Sequence, residues 1–301
     1  MKISVIIPTY ARAQMLPRAI ESVLGQEGVD VEVVVVSDNP PESPARTETR
    51  AQIEAIHDSR IVFLENDKNM GGSLTRNRGI EASTGDYISF IDDDDFYLPG
   101  KLREQLDFMV SGNFDMTFMD CEIRNSEGTT MDIRTHGLPG APDNNTLLRA
   151  HLVSPLTPTM TYMFRRDALF ELGLFENRPV SQEYMLMLRA INKGLKIGYL
   201  PRALSVQIVH SGERISAGAN KIPGEKRLLE IKLGYKDVLS SKERRMMKCR
   251  FYSMAFFVSF RQKKMLDAAG YALCAFAATP VGAVKILLSK KGMFRAKEID
   301  K

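Results

Sequence analysis

Residues 1–100 alternate short apolar runs with segments in which apolar residues recur every three or four positions. Residues 3–7 and 31–36 are almost continuously apolar, a pattern typical of strands covered on both faces. Helices are predicted at 14–24, 47–56 and 72–82, and further strands at 60–64 and 86–91. This order predicts an α/β fold with a mostly parallel sheet and helices on both faces. The ligand crevice of such a sheet lies beyond the carboxyl ends of its strands.

The second part of the chain has a less regular pattern. A helix is predicted at 98–110, a strand at 116–121, and loops with a hairpin at 122–160, where Gly, Pro, Asn and Thr are frequent. Further helices are predicted at 165–172 and 182–192, and a strand at 204–209. From 224 onward nearly the whole chain is predicted to be helical, so we expect a domain boundary at 212–224, where Gly212, Gly218 and Pro223 cluster.

Composition identifies a globular protein of ordinary make-up. The 301 residues are 44% hydrophobic and 26% charged, which excludes disordered, collagen-like and disulfide-stapled classes. The three cysteines are far apart and odd in number, so reduced thiols in a cytoplasmic protein are expected. The first apolar run ends at Pro8, too early for the apolar core of a signal peptide.

Charge is divided unevenly along the chain. Residues 221–301 hold 19 of the 41 Lys and Arg and 7 of the 37 Asp and Glu, a net charge of +12. Residues 1–220 therefore hold 22 basic and 30 acidic residues, a net charge of −8. This division indicates a cation site in the first part and a surface for an anionic partner in the second.

Four consecutive aspartates, Asp92 to Asp95, follow the strand predicted at 86–91. That strand would bring four carboxylates to the ligand-binding edge of the sheet, where a divalent cation relieves their repulsion. Carboxylate oxygens suit Mn²⁺ or Mg²⁺. An acidic loop that caps the helix beginning near Pro99 is the alternative interpretation.

Five segments stand in a characteristic order: 5–10 (VIIPTY), 34–38 (VVVSD), 69–79 (NMGGSLTRNRG), 90–102 (FIDDDDFYLPGKL) and 182–189 (QEYMLMLR). In this order the chain resembles family 2 glycosyltransferases with the GT-A (Rossmann-like) fold, most strongly over 1–110. The resemblance implies a nucleotide-sugar-binding half at 1–110, an acceptor-binding and catalytic-base half at 111–220, and a basic helical region at 221–301.

The resemblance also implies roles for individual residues. Asp38 would accept from the nucleotide base, Asp92 would face the ribose, and Asp94 would hold the metal ion. Because four aspartates are consecutive, the register could shift by one, which keeps Asp93 and Asp95 as alternatives. The implied nucleotide-binding residues are Pro8, Thr9, Tyr10, Arg12, Asp38, Gly72, Arg76, Asp92 and Asp93, and the implied metal ligands are Asp94 and His210.

Glu183 stands where the family has its catalytic base, in the string Gln182-Glu183-Tyr184. A structural role is the alternative, because Glu is favoured in the first turn of a helix and Ser181 suits the N-cap. For His210, an incidental position at a strand end is likewise the alternative to metal binding.

The resemblance implies an inverting, metal-dependent transferase. It would move a sugar from a nucleotide-sugar, with UDP-sugar expected, to a hydroxyl of a saccharide or lipid-linked saccharide in bacterial surface polysaccharide biosynthesis. Two other functions stay open on the residues: a two-carboxylate glycoside hydrolase, and a non-catalytic nucleotide-sugar-binding or scaffold protein.

Residues 266–288 are rich in Ala, Leu, Val and Phe and are flanked by Lys and Arg. A spanning helix needs about 20 apolar residues, so the segment favours an interfacial helix pair on an anionic membrane surface. A helical subdomain packed on the rest of the chain or on a second subunit stays open. We expect a cytoplasmic protein that can attach to the inner face of the membrane, with homo-oligomers open and no nucleic-acid partner.

Overall fold

The computed structural model describes residues 1–178, 180–209 and 221–286. Its strands are β1 (Lys2–Thr9), β2 (Asp30–Ser37), β3 (Ile61–Glu65), β4 (Tyr87–Phe90), β5 (Phe96–Tyr97), β6 (Met116–Asn125), β7 (Thr130–Arg134), β8 (Met163–Arg165) and β9 (Ile197–Val209). Its helices are α1 (Leu16–Leu24), α2 (Pro44–Ile56), α3 (Gly72–Ala82), α4 (Lys101–Gly112), α5 (Asn144–Val153), α6 (Arg166–Leu172), α7 (Gln182–Asn192), α8 (Lys221–Gly234), α9 (Ser241–Arg261) and α10 (Met265–Ala278).

All the described strands belong to one sheet. Its order is β3-β2-β1-β4-β8-β6-β9-β5, with β7 paired to β6. The first four strands in this order are parallel, as the pattern of residues 1–100 predicts. Beyond β4 the sheet is mixed, because β8 is antiparallel to both its neighbours and β6 and β9 pair in parallel. The α/β fold is thus confirmed, and its carboxyl edge is formed by β1, β2 and β4.

The two faces of the sheet bury two separate hydrophobic clusters. Ile3, Val5 and Ile7 of β1 face one cluster together with α1, while Ile6 faces the other with α7. The side chains of β2 divide in the same alternating way. Because both faces are covered, the continuous apolar runs seen in the sequence are explained.

The region 122–160 contains more structure than its composition indicates. The predicted hairpin is confirmed as the antiparallel pair β6 and β7. Helix α5 was not predicted; its first turn is stabilised by Asp143, whose carboxylate accepts hydrogen bonds from the backbone N–H groups of Asn145 and Thr146. The strands β5 and β8 also escaped prediction, since two and three residues are too few for a periodic pattern.

The chain divides into two compact units. One comprises Met1–His151 and Pro155–Gly212 and contains the sheet; the other comprises Leu152–Ser154 and Glu213–Lys301. Within the second unit, α8 and α10 both pack on α9, so the predicted C-terminal helical region is present. Among the described residues, no helix has both the length and the apolar character that crossing a bilayer requires.

Helix α3 lies unusually close to the sheet. A Cβ at Gly79 would lie 2.6 Å from Cγ2 of Ile6 and 3.1 Å from Cγ2 of Val36, so only glycine allows this approach. The contact fixes the height of α3 above β1 and β2, and its first turn reaches the carboxyl edge of the sheet.

Glu32 of β2 is a buried carboxylate that ties three elements together. It accepts hydrogen bonds from Nζ of Lys2 (2.9 Å), from the Ser4 hydroxyl, and from the Thr84 backbone N–H (2.5 Å) and hydroxyl (2.8 Å). Burial alone would raise the pKa of Glu32, but these hydrogen bonds outweigh it and lower the pKa to about 2.

We predict that Glu32→Gln destabilises the protein at pH 7 by about 1–3 kcal/mol in urea unfolding. The folded-state pKa lies below the ordinary value of 4.5, so the stabilisation is present above pH 4.5 and is lost as pH falls toward 2. The difference between parent and variant should therefore shrink in acid. Glu27→Gln, at an exposed position, is the matched control. A pH-independent difference would contradict the assignment.

Candidate active site

The carboxyl ends of β1, β2 and β4 bring three polar segments together. Thr9 pairs with Ser37, and Ile6 pairs with Phe90, so the residues that follow these strands share one edge. The Asp38 backbone N–H donates to the Thr9 carbonyl at 2.9 Å. The predicted residues of β1, β2 and β4 are therefore neighbours in the folded chain.

The four aspartates are not equally buried. They form a turn in which the Asp95 backbone N–H donates to the Asp92 carbonyl at 3.1 Å. The side chains of Asp92 and Asp94 are 41% and 13% exposed, whereas Asp93 and Asp95 are buried. The four carboxylates stay close enough for one nitrogen, Nη1 of Arg12, to contact both Asp93 and Asp94, but less buried and buried side chains alternate along the turn. This alternation supports the register with Asp92 and Asp94 as the outer pair.

The two inner aspartates are held by the fold. Asp93 accepts from the Tyr10 backbone N–H at 3.3 Å, and Asp95 accepts from the Ile208 backbone N–H at 2.8 Å. Burial, with a further contribution from the charges of Asp92 and Asp94, raises the pKa of Asp93 to about 6 and that of Asp95 well above its ordinary range. Burial is the larger cause in both cases, and the neighbouring carboxylates add to it.

Two arginines offset part of this charge. Nη1 of Arg12 lies 2.6 Å from the Asp94 carboxylate and 3.2 Å from that of Asp93. Nη2 of Arg76 lies 2.5 Å from the Asp92 carboxylate. Each outer aspartate is therefore paired with its own guanidinium, and both predicted arginines lie at the predicted edge.

Arg76 also connects the aspartate turn to helix α7. Its Nη1 donates to the Gln182 side-chain carbonyl at 3.0 Å, and Gln182 in turn donates through Nε2 to the Arg178 carbonyl at 3.0 Å. The Nε atom of Arg76 is buried without a hydrogen-bond partner. Gln182 is the first residue of α7 and Glu183 the second, so this bridge brings the proposed base helix to the edge that carries Asp92.

The Gly72 position leaves room for the same bridge. A Cβ there would lie 3.1 Å from Nη1 of Arg76 and 3.4 Å from Oε1 of Gln182. The preceding Gly71 has φ of 81°, which favours glycine. The two glycines thus form a loop whose backbone can approach both the arginine and a ligand.

Asp38 organises this glycine loop. Its Oδ1 accepts from the Asn66 side chain at 2.7 Å and from the Met70 backbone N–H at 2.8 Å, and its Oδ2 accepts from the Gly71 backbone N–H at 2.9 Å. The residue is buried. Oδ2 retains acceptor capacity for a ligand, since each carboxylate oxygen can accept two bonds. The structure therefore adds a scaffolding role to the predicted contact with the base.

Three functional positions were missed by the sequence reasoning. Asn39 accepts from the Ala11 backbone N–H at 2.8 Å and links the loops after β1 and β2. Asn66 bridges Asp38 and Thr75, and Gln182 holds Arg76. Asn66 directly follows β3, so a search for polar residues after each parallel strand would have found it.

Glu183 lies in the first turn of α7 beside buried aromatic residues. Burial raises the pKa of Tyr162 well above its ordinary range, and the negative charge of Glu183 raises it further. The backbone of α7 is held by His151, whose Nε2 lies 3.0 Å from the Tyr184 carbonyl and whose Nδ1 accepts from the Leu156 backbone N–H at 3.1 Å. The imidazole and Tyr184 rings stack with centroids 4.1 Å apart.

The remaining predicted residues differ in exposure. Thr9 is buried, Pro8 is half-buried, and Tyr10 is 43% exposed at the same edge. His210 lies outside the described residues, so its predicted place in a metal shell stays a prediction. Tyr10 contacts the aspartate turn through its backbone N–H, which donates to Asp93.

The outer aspartates fit a divalent cation. Hard cations such as Mg²⁺ are commonly held by one or two carboxylates together with substrate phosphates, and Asp92 and Asp94 supply such a pair. Both are already paired with a cationic group, so the positions tolerate positive charge. Within residues 1–178, 180–209 and 221–286, no group of three or more His, Cys, Asp or Glu is arranged as a complete metal site.

The chain is similar in sequence to a family of known proteins. The family model described as Glycosyl transferase family 2 matches residues 4–172. The succinoglycan biosynthesis protein ExoO of Rhizobium meliloti is 27% identical over 220 residues, which cover 70% of this chain and 61% of that protein. The GalNAc(5)-diNAcBac-PP-undecaprenol beta-1,3-glucosyltransferase of Campylobacter jejuni is 25% identical over 256 residues, which cover 83% of this chain and 78% of that protein.

A solved structure shows the same fold. The S. aureus TarS 1-349 structure in complex with UDP-GlcNAc matches with a TM-score of 0.64 and 18% identity, and covers 93% of this chain and 82% of that one. At this identity the similarity speaks for the fold alone, and it confirms the GT-A fold.

We predict that Asp38→Asn lowers the free energy of unfolding by about 1–3 kcal/mol. One amide NH₂ group would then face a donor, either the Gly71 or the Met70 backbone N–H, in a buried position. Chemical denaturation measures the loss. Asp67→Asn, an exposed aspartate of the same loop, should change the value by less than about 0.5 kcal/mol. Equal effects of the two substitutions would contradict the scaffolding role.

Proposed function

The chain belongs to glycosyl transferase family 2, and from this premise we propose that it transfers a sugar from a UDP-sugar to a hydroxyl group with inversion at the anomeric carbon. The names of its relatives refer to succinoglycan biosynthesis and to a PP-undecaprenol-linked saccharide. We extend that setting to this chain: the acceptor is a saccharide or lipid-linked saccharide in bacterial surface polysaccharide assembly. Three free cysteines suit a cytoplasmic enzyme working at the inner face of the membrane.

The observation that carries the proposal is the Arg76 bridge. A single guanidinium contacts Asp92, at 2.5 Å, and Gln182, at 3.0 Å. Asp92 belongs to the proposed donor side, and Gln182 precedes the proposed base Glu183. A displacement reaction needs its leaving group and its base held at fixed positions on opposite sides of the reacting carbon. The Arg76 bridge joins the two elements that would hold them.

The donor would occupy the edge formed after β1, β2 and β4. In the proposal, Tyr10 and Asp38 meet the base, Pro8 and Thr9 line the pocket, and Asp92 faces the ribose. The glycine loop presents backbone beside Arg76, whose guanidinium is the first cation available to a diphosphate oxygen. Arg12, beside Asp93 and Asp94, is the second cation available to phosphate. UDP is proposed as the nucleotide on the family resemblance, and the TarS complex with UDP-GlcNAc has the same fold.

Asp94 would hold Mn²⁺ or Mg²⁺, beside Asp92 at the ribose. Bound there, such an ion supplies Lewis-acid stabilisation of charge on the departing diphosphate. The two arginines pair with the carboxylates of Asp92 and Asp94 and would keep them oriented. His210 is proposed as a further ligand on the resemblance alone.

Glu183 would act as the general base. Its carboxylate takes the proton from the acceptor hydroxyl while that oxygen attacks the anomeric carbon from the face opposite the diphosphate. Attack on that face inverts the configuration. His151 and Gln182 hold the first turn of α7 and so position Glu183 without touching the reacting atoms.

We predict that Glu183→Gln lowers kcat by about 10²–10⁴-fold, because the amide cannot accept the proton. Binding of UDP with Mn²⁺, followed by thermal shift, should be retained. The exposed Glu171→Gln variant is the control and should keep parental turnover. Parental kcat in Glu183→Gln would remove Glu183 from the mechanism, and sugar release without transfer to any acceptor would favour a hydrolase.

A second prediction concerns the outer aspartates. Asp94→Asn should weaken Mn²⁺-dependent UDP binding by at least about tenfold, the lower end of what even outer-shell substitutions cost a metal site. Isothermal titration calorimetry with and without Mn²⁺ measures the effect. Asp30→Asn, an exposed aspartate at the start of β2, is the matched control. Unchanged metal dependence in Asp94→Asn would overturn the assignment of Asp94.

A further inference from the structure

Helix α10 packs with its small side chains inward and its large ones outward. Ala268 and Ala275 are 2% and 4% exposed, and α10 packs against α9. On the opposite side, Leu266 is 91% exposed, Leu273 is 73% exposed and Phe276 is 39% exposed. An amphipathic helix of a water-soluble unit has the reverse arrangement, because its large apolar residues are normally buried.

The large exposed residues Leu266, Leu273 and Phe276 lie on one face of α10. At 100° per residue, Leu266, Leu273 and Phe276 fall on one side of α10 together with the small residues Ala269, Gly270 and Ala277. Val281 and Val284, directly after the helix, are 67% and 44% exposed. We call Leu266, Leu273 and Phe276 the outer apolar face of α10. Aligned exposure of this kind marks an interaction surface, whereas single exposed apolar residues do not.

The charges around the outer apolar face are basic. Residues 268–284 contain no Asp, Glu, Lys or Arg. Arg261, Lys263 and Lys264 are exposed before the helix, and Lys285 is exposed after it. Residues 221–301 carry a net charge of +12. An apolar face with basic residues at both ends is complementary to an anionic bilayer surface, where acyl chains lie beneath negative headgroups.

The length of α10 excludes a span and favours an interfacial position. Its 14 residues extend about 21 Å, which is shorter than a hydrocarbon core of about 30 Å. Pairing with a second copy would bring the exposed basic groups of two chains together, so charge disfavours that occupant.

We propose that the outer apolar face of α10 inserts into the headgroup region of an anionic membrane, with Arg261, Lys263, Lys264 and Lys285 contacting the lipid phosphates. The inference rests on the proposed function only in its purpose, which is to hold the enzyme where a lipid-linked acceptor is presented. Lipid binding itself requires neither donor nor turnover.

The test is flotation of the full chain with vesicles of phosphatidylcholine that also contain the anionic lipid phosphatidylglycerol. Vesicles of phosphatidylcholine alone are the neutral comparison. The parent should float with the anionic vesicles and not with the neutral ones. Leu266→Gln with Leu273→Gln should reduce the bound fraction by more than about tenfold, since two anchors lose their apolar contact. Gln has a helix propensity close to that of Leu, and both sites are exposed, so folding should be unaffected.

Met131→Gln with Ile133→Gln is the matched control, because these exposed apolar residues lie on β7 of the other unit. It should bind vesicles as the parent does. Lys263→Gln with Lys264→Gln should weaken binding and flatten its salt dependence. Equal flotation of the Leu266/Leu273 variant and the parent would overturn the proposal. Absence of vesicle binding by the parent would also overturn it. If light scattering then shows that the parent is a dimer and that the Leu266/Leu273 variant is a monomer, the outer apolar face belongs to contact with a second copy.

Turnover with a water-soluble acceptor separates this proposal from the proposed function. The Leu266/Leu273 variant should keep parental turnover on such an acceptor. If the parent transfers sugar but does not bind vesicles, only the membrane proposal is refuted. Vesicle binding without turnover on any acceptor would refute only the transferase.

Discussion

Repulsion among four adjacent carboxylates is the constraint on which the candidate site depends. The turn after β4 separates them by sending Asp93 and Asp95 inward and leaving Asp92 and Asp94 at the surface. The inner pair is held by backbone N–H groups, and its raised pKa values reflect burial and the remaining negative charge. The outer pair is held by arginines. The arginines thereby fix the orientation of the outer carboxylates.

Arg76 extends this electrostatic arrangement to a distant part of the chain. It lies 16 residues from Asp92 and 106 residues from Gln182 in sequence, yet one guanidinium contacts both. Its position follows from the close approach of α3 to the sheet, which Gly79 alone permits. The carboxyl edge of the sheet and helix α7 are therefore linked through the packing of α3 against the sheet.

The two units use apolar residues in opposite ways. In the first, strands β1 and β2 are covered on both faces and bury their apolar residues, and buried polar groups such as Asp38 and Glu32 are satisfied by hydrogen bonds. In the second, α10 packs through alanines and leaves its leucines exposed. Net charge separates the same two parts, because residues 1–220 are acidic and residues 221–301 are basic. A division of labour between chemistry and attachment is consistent with both differences.

Periodicity and motif order alone determined the α/β class, the parallel run of β1 to β4 with its helices, and the segments that meet at the carboxyl edge. These features follow from local patterns of burial, which each strand and helix carries in its own residues. Only the tertiary structure decided which aspartates face outward, that Asp38 supports a loop, and that Gln182 holds Arg76. It also decided which face of α10 is exposed, where the sequence shows only an apolar segment. Such choices depend on partners far away in the chain, and no local pattern encodes the distance between two side chains that meet only after folding.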